Sequence, residues 1–201
     1  MLIYVYQFLY ISILSTFLHF AYDLTNHIFI FSIIGAINES VYEHLRLGIF
    51  PWFSWFLIRW YFFSFENTFF GNLIAVLSFM VIILFIFYGY LFIFKKHFLP
   101  VSISSFYIGI LFGTFVEYLI NSFFYNKVLE IIGLIGCILV FCYGMISSYY
   151  PYKYFFTIDE KYKLYGMEAH SKRCHIAKKK KYIMFIFNLL GFPLPKNEEK
   201  K

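Results

Sequence analysis

The sequence predicts an all-α membrane protein, a polytopic transmembrane helical bundle of about five spanning helices. Of the 201 residues, 61% are hydrophobic and only 14% are charged, whereas a soluble domain is about half apolar and about a quarter charged. The apolar residues fall into separate blocks of about 20 residues, the length at which a helix crosses a bilayer. We therefore expect one helical bundle over residues 1–150, followed by a basic tail over residues 151–201.

Turn-forming and charged residues separate the apolar blocks and define the predicted spans. These spans are Leu2–Tyr22, Gly48–Phe65, Asn72–Phe94, Val101–Phe124 and Val128–Tyr150. Between the first two, residues 28–37 are apolar but too short to span. We expect this stretch to be half-inserted or interfacial and to lead into a polar helix, NESVYEHLR. Four glycines in the last two spans predict close helix contacts, namely Gly109, Gly113, Gly133 and Gly136.

Lysine and arginine residues collect on one side of the predicted bundle. Arg46 precedes the second span, Lys95 and Lys96 follow the third, and a dense basic set follows the fifth. Positive charge in short loops marks the cytoplasmic side. The sequence therefore predicts a multi-pass protein of the cell membrane with its N-terminus outside and its C-terminal tail in the cytoplasm.

The tail combines a basic run with a short apolar segment. The apolar segment covers residues 182–194 and is too short to cross a bilayer. Each cation near anionic lipid contributes on the order of 1 kcal/mol to surface binding, so we expect anionic membrane lipid as a partner and no nucleic acid. The alternative is a solvated tail that fixes topology. The basic run is Lys178, Lys179, Lys180 and Lys181.

Polar and ionisable residues cluster near the first two spans, where such side chains are rare unless they have a role. His19 and Asp23 stand four residues apart and share a helix face. If the following stretch is helical, Glu39 lies above Glu43 and Ser40 above His44. The candidate cluster is His19, Asp23, Asn38, Glu39, Ser40, Glu43 and His44.

Three kinds of function fit this cluster. The first is a structural network, in which His19 pairs with Asp23, and Arg46 pairs with Glu43 or Glu39. Such a network indicates a structural or interaction protein, and this is the interpretation we favour. A mixed nitrogen and oxygen set also suits a divalent metal and so a metal-dependent membrane hydrolase. A proton or ion relay, as in a small ion-coupled transporter, is the third reading. No single residue is assigned a catalytic role, and the candidate metal ligands are His19, Asp23, Glu39, Glu43 and His44.

Two further ionisable residues, Arg59 in the second span and Glu117 in the fourth, are surrounded by apolar sequence. Unpaired, each would cost several kcal/mol at membrane depth. The favoured interpretation is that they pair with each other. The alternative is that Arg59 reaches the interface while Glu117 faces the polar cluster.

Three segments, FLHFAYD, NESVYEHLRLGIFP and YYPYKYFFTIDEKYKLYG, resemble the family known as domain of unknown function 6512. The resemblance runs from about Thr16 to Gly166. It implies a small multi-spanning protein of the bacterial inner membrane with a shared polar block, and it implies no catalytic assignment. The matching residues are His19, Tyr22, Asp23, Asn38, Glu39, Ser40, Glu43, His44, Pro51, Asp159, Tyr165 and Gly166.

Overall fold

The protein is helical throughout nearly all of the chain that the structure describes. The computed structural model describes residues 2–25, 28–38, 40–63, 68–95, 98–123, 126–147, 158 and 163–165. Within these ranges the only β pairing is an isolated antiparallel bridge between Ile158 and Tyr165. The all-α prediction is confirmed. The helices are α1 (Leu2–Leu24), α2 (Phe29–Ile34), α3 (Val41–Phe62), α4 (Phe69–Phe94), α5 (Leu99–Phe123) and α6 (Lys127–Ile146).

Four helices, α1, α4, α5 and α6, are long and apolar enough to cross a membrane. The prediction of a polytopic membrane bundle is thereby confirmed. Helix α3 has 22 residues, a length of about 33 Å, but it is not among the four that meet both criteria. It is less apolar because it carries Glu43, Arg46 and Arg59.

Helix α3 lies at the centre of the bundle. Thirteen of its 22 residues are buried, compared with three of 20 in α6. Around it, α1 contacts α5, α5 contacts α4 and α4 contacts α6, while the short α2 contacts both α1 and α6. Protein therefore covers much of α3, and a helix surrounded by protein can carry polar side chains that a lipid-facing helix cannot.

The long helices α1, α3, α4, α5 and α6 alternate in direction along the chain. Near the start of α1, the Tyr4 ring lies 5.7 Å from the guanidinium carbon of Arg59, near the end of α3. At the other end, His19 of α1 lies beside His44 of α3. We call these the Tyr4 end and the His19 end. The Tyr4 end holds the starts of α1, α4 and α6, and the His19 end holds the start of α3.

The predicted start of the second span was wrong. The sequence placed it at Gly48, whereas α3 begins at Val41 and joins the polar helix and the span into one element. Ser40 caps the helix, because its hydroxyl oxygen accepts a hydrogen bond from the Glu43 amide at 3.3 Å. The sequence alone missed this start because Glu43 and Arg46 lower the mean hydropathy of the first turns. In the fold, neighbouring helices bury both side chains.

Three other span starts also differ from the prediction, and one of them is that of α5, which begins at Leu99 rather than at Val101. Helix α4 begins at Phe69 rather than at Asn72, because the Thr68 hydroxyl caps it by accepting from the Gly71 amide at 2.9 Å. Helix α6 begins at Lys127, where the Asn126 side chain caps it. Residues 29–34 of the segment expected to be half-inserted form α2, whose entry into the bilayer stays a prediction.

Pro51 lies inside α3, where its missing N–H leaves the Leu47 carbonyl without its usual helical donor. The Ser15 hydroxyl of α1 donates to this carbonyl at 3.0 Å. Both Ser15 and Leu47 are buried. A neighbouring helix therefore supplies the hydrogen bond that proline removes, and this bond ties α1 to the middle of α3.

The four glycines in α5 and α6 permit close packing, as predicted. A Cβ atom on Gly133 would stand 2.2 Å from the Phe70 amide nitrogen of α4, and one on Gly113 would stand 2.7 Å from the Ala75 carbonyl oxygen. Gly109 and Gly136 likewise face side chains of α4. These contacts bring α5 and α6 directly against α4.

Replacing Ser15 by alanine should lower the free energy of unfolding by about 1 kcal/mol, because the buried Leu47 carbonyl loses its donor. Ser12 is a matched control on the same helix, since its hydroxyl oxygen is buried without a hydrogen-bond partner in the structure. Ser12→Ala should therefore be neutral or stabilising. In a Pro51→Ala background the backbone can donate to Leu47, so the cost of Ser15→Ala should shrink. Unfolding in detergent measures all four variants, and equal losses for Ser12→Ala and Ser15→Ala would contradict this account.

Candidate functional site

Part of the predicted polar cluster comes together at the His19 end. The rings of His19, in α1, and His44, in the first turns of α3, have centres 5.1 Å apart and planes 39° apart. Both side chains are half-buried, and Asp23 is exposed. Glu39 lies outside the described residues. The two imidazoles are thus the pair that this cluster brings into direct contact across helices.

Asn38 and Ser40 build the start of α3. The Asn38 side-chain oxygen accepts from the Ser40 amide at 2.8 Å, and both residues are buried. Residues of this type commonly bond to nearby amides at a helix start. The ring nitrogen Nδ1 of His44 lies 2.9 Å from the Ser40 carbonyl oxygen. The same short segment therefore sets the start of the helix and the position of the His44 ring.

Glu43 forms an ion pair with Arg46. The structural hypothesis paired Arg46 with either Glu43 or Glu39. The closest atoms of Glu43 and Arg46 are 2.6 Å apart, and each side chain is 2% exposed. Glu43 also accepts from the Ile37 amide at 3.2 Å. Arg46 donates further to backbone carbonyls around the ends of α2 and α6, where a positive charge is favourable. These carbonyls belong to Ser32, Ile33, Gly35 and Gly144.

The predicted metal ligands are not all gathered at one point. Within the part of the chain that the structure describes, no group of three or more His, Cys, Asp or Glu side chains is arranged to hold a metal ion. Glu43 bonds to Arg46, and Asp23 is exposed. What the described residues offer is the two-imidazole pair of His19 and His44.

A second polar site lies at the Tyr4 end. Arg59 and Glu117 form an ion pair, and both side chains are fully buried. The other carboxylate oxygen of Glu117 accepts from the Gln7 side-chain amide at 2.6 Å and from the Trp52 indole N–H at 3.0 Å. Three donors from α1 and α3 therefore converge on one carboxylate of α5. The sequence left two arrangements open for Arg59 and Glu117. In the structure the two side chains pair with each other, which is the favoured interpretation.

Further polar residues extend this site, and none of them was predicted from the sequence. Besides lying over Arg59, Tyr4 accepts through its hydroxyl from the Asn121 amide at 3.2 Å. Asn121 in turn accepts from Thr68, the cap of α4. The sequence does mark Gln7, because it is a polar amide inside an apolar block. In the structure its side chain is fully buried. Its partner on a distant helix could not be read from spacing along the chain.

Apolar side chains fill the bundle between the two ion pairs. Ile49 and Trp52 lie between Arg46 and Arg59 along α3, and they pack in one core cluster. The cluster also includes Ile11, Leu45, Ala75, Val76, Phe79, Ile83 and Ile110, and all nine residues are at most 3% exposed. The buried charges are therefore held in two separate sites.

A helical bundle with four helices long and apolar enough to cross a membrane, and with ion pairs buried within it, defines a multi-pass α-helical membrane protein. A family model matches residues 3–167, and the chain belongs to this family, a family of unknown function (DUF6512). The family resemblance inferred from the sequence is thereby confirmed. No curated protein and no solved structure matches the chain. The matched region contains both ion pairs and the His19–His44 contact, and it ends before Lys178.

Replacing Glu117 by glutamine should destabilise the protein by about 3–5 kcal/mol, because it leaves the Arg59 charge buried without a counter-charge. Arg59→Met should cost a similar amount by stranding the carboxylate. The double variant should be more stable than either single variant, since it leaves no buried charge. Unfolding in detergent provides the double-mutant cycle. Additive losses would show that the two residues do not act as a pair.

Proposed function

We propose that this protein has a structural or interaction role in the cell membrane. The observation that carries the proposal is the state of its buried charges. Among the described residues, four charged side chains are buried, and they form two ion pairs, Glu43 with Arg46 and Arg59 with Glu117. The pair of Arg59 and Glu117 joins α3 to α5. Arg46 is paired with Glu43 on its own helix and also donates to carbonyls at the ends of α2 and α6. The buried charges therefore specify how these helices meet.

We also propose that five helices cross the membrane, with α3 as the fifth. Its length of about 33 Å matches a hydrocarbon core of about 30 Å, and it packs antiparallel to α1 from the Tyr4–Arg59 contact to the His19–His44 contact. Arg46 and Lys95 then lie on the side from which the basic tail emerges. The positive-inside rule makes this side cytoplasmic and puts the N-terminus outside.

Helix α6 offers the surface on which an interaction role would depend. Only Gly133, Cys137 and Gly144 of its 20 residues are buried. Its exposed apolar side chains face membrane lipid or a partner helix. Anionic lipid remains the proposed partner of the tail, whose residues Lys178–Lys181 lie outside the described part of the chain.

A metal-dependent membrane hydrolase is the second candidate, and the contact between His19 and His44 is the observation that favours it. Catalytic zinc sites typically use three protein ligands. Glu39, which the sequence offers as a further ligand, lies outside the described residues. Ion-coupled transport has less support, because the apolar core separates Glu117 from the polar groups at the His19 end.

The proposed topology predicts which loops a membrane-impermeant maleimide reaches. In a background in which Cys137, Cys142 and Cys174 are replaced by serine, Lys127→Cys should be labelled in intact cells. Lys95→Cys should be labelled only after the membrane is opened. These two positions flank α5 alone, so Thr25→Cys, which precedes α3, is the third position that tests α3. Thr25 and Lys95 lie on the same side if α3 and α4 both cross and on opposite sides if α3 does not. Labelling of Thr25→Cys and Lys95→Cys from opposite sides of the membrane would therefore contradict the five-span arrangement.

The structural role predicts that the purified protein lacks turnover and transport. Proteoliposomes should show no proton or cation flux above protein-free vesicles, and added Zn²⁺ or Mn²⁺ should not promote cleavage of lipid esters, amides or phosphates. The double variant Arg59→Met with Glu117→Gln is the control for a folded bundle without the charges at the Tyr4 end. A flux that wild type shows and this variant lacks would favour the transporter. Metal-dependent cleavage lost in His44→Ala would favour the hydrolase.

A further inference from the structure

We propose that His19 and His44 bind one divalent transition-metal ion, of the zinc, nickel or copper type, between α1 and α3. Such an ion fastens the last turns of α1 to the first turns of α3. The inference concerns metal binding alone. It requires neither lipid turnover nor the structural role proposed above, and each of the three can fail separately.

The spacing of the two rings fits a shared ion. Their centres are 5.1 Å apart. A metal about 2.0–2.1 Å from an imidazole nitrogen lies about 3.2 Å from the centre of that ring, so two imidazoles at a tetrahedral angle have centres about 5 Å apart. The two ring centres therefore already stand at the separation that coordination of one ion needs.

The hydrogen bond of His44 sets its tautomer. Its Nδ1 atom lies 2.9 Å from the Ser40 carbonyl oxygen, and a carbonyl only accepts, so Nδ1 carries the proton and Nε2 carries the lone pair. Metal-binding histidines commonly donate their other N–H to a backbone carbonyl in this way. Ser40 is itself 1% exposed and caps α3, so the ring is oriented by a rigid part of the fold.

The surroundings of the pair admit a cation. Both rings are half-buried and lie near one end of the bundle. Asp23 stands one turn beyond His19 and is exposed, which adds negative charge at the entrance. Arg46, the nearest buried cation along α3, is neutralised by Glu43. Imidazole ligands select zinc, copper or nickel over magnesium and calcium, which prefer oxygen.

Thermal unfolding of the full chain in detergent, after removal of metal with a chelator, tests the site. Added Zn²⁺ should raise the Tm of wild type and of the control His97→Ala, because an ion that binds only the folded state stabilises it. Mg²⁺ should have no effect. His19→Ala and His44→Ala should each weaken Zn²⁺ binding by more than about tenfold, the loss that even second-sphere changes cause. His44→Cys should retain binding, since thiolate is a zinc ligand.

No rise in Tm for well-folded wild type would overturn the proposal. So would a rise that persists unchanged in both alanine variants. If the variants fold poorly, Cu²⁺ bound to wild type replaces them as the test. Its electron paramagnetic resonance spectrum should show coupling to nitrogen from two imidazoles, and a spectrum with one nitrogen ligand or none would exclude the shared site.

Discussion

The buried ion pair between Arg59 and Glu117 constrains the arrangement of three helices. A single charge left at this depth costs several kcal/mol, so α3 and α5 can pack only where the two side chains meet. Gln7 adds α1 to the same point by donating to Glu117. Because successive helical residues differ by about 100° in direction, a shift of α1 by one residue would turn Gln7 away from the carboxylate. The pair therefore specifies register more than it adds stability.

Arg46 plays a different part at the other end of α3. Arg59 meets a carboxylate on another helix, whereas Arg46 has its counter-charge on its own helix and donates from Nη1 and Nη2 to backbone carbonyls. These carbonyls lie at the ends of α2 and α6, where helices leave acceptors without internal donors. One arginine thus joins the short helix α2 to α6, which is long and apolar enough to cross a membrane. Near each end of α3 an arginine contacts other helices through polar interactions, and between the two arginines α3 contributes apolar residues to the core cluster.

Hydropathy alone predicted four of the long helices, because α1, α4, α5 and α6 turn much of their surface outward. It misplaced the start of α3, since Glu43 and Arg46 look solvent-exposed to a sequence window and are buried by protein in the fold. Spacing along one helix predicts only which polar residues share a face. It could not show that Asn38 and Ser40 build a helix cap while His44 meets His19. Nor could it show the contact of Gln7 with Glu117, 110 positions away in the chain.

The bond from Ser15 to the Leu47 carbonyl bears on how the chain enters the membrane. A helix with a proline in its middle and three charged residues is a poor substrate for insertion by itself, because lipid offers no donor to the exposed carbonyl. Helix α1 precedes it in synthesis and carries the hydroxyl that it lacks. The first helix thus completes the backbone hydrogen bonding of the central one. The two are best regarded as one hydrogen-bonded pair, with the linker that contains α2 between them.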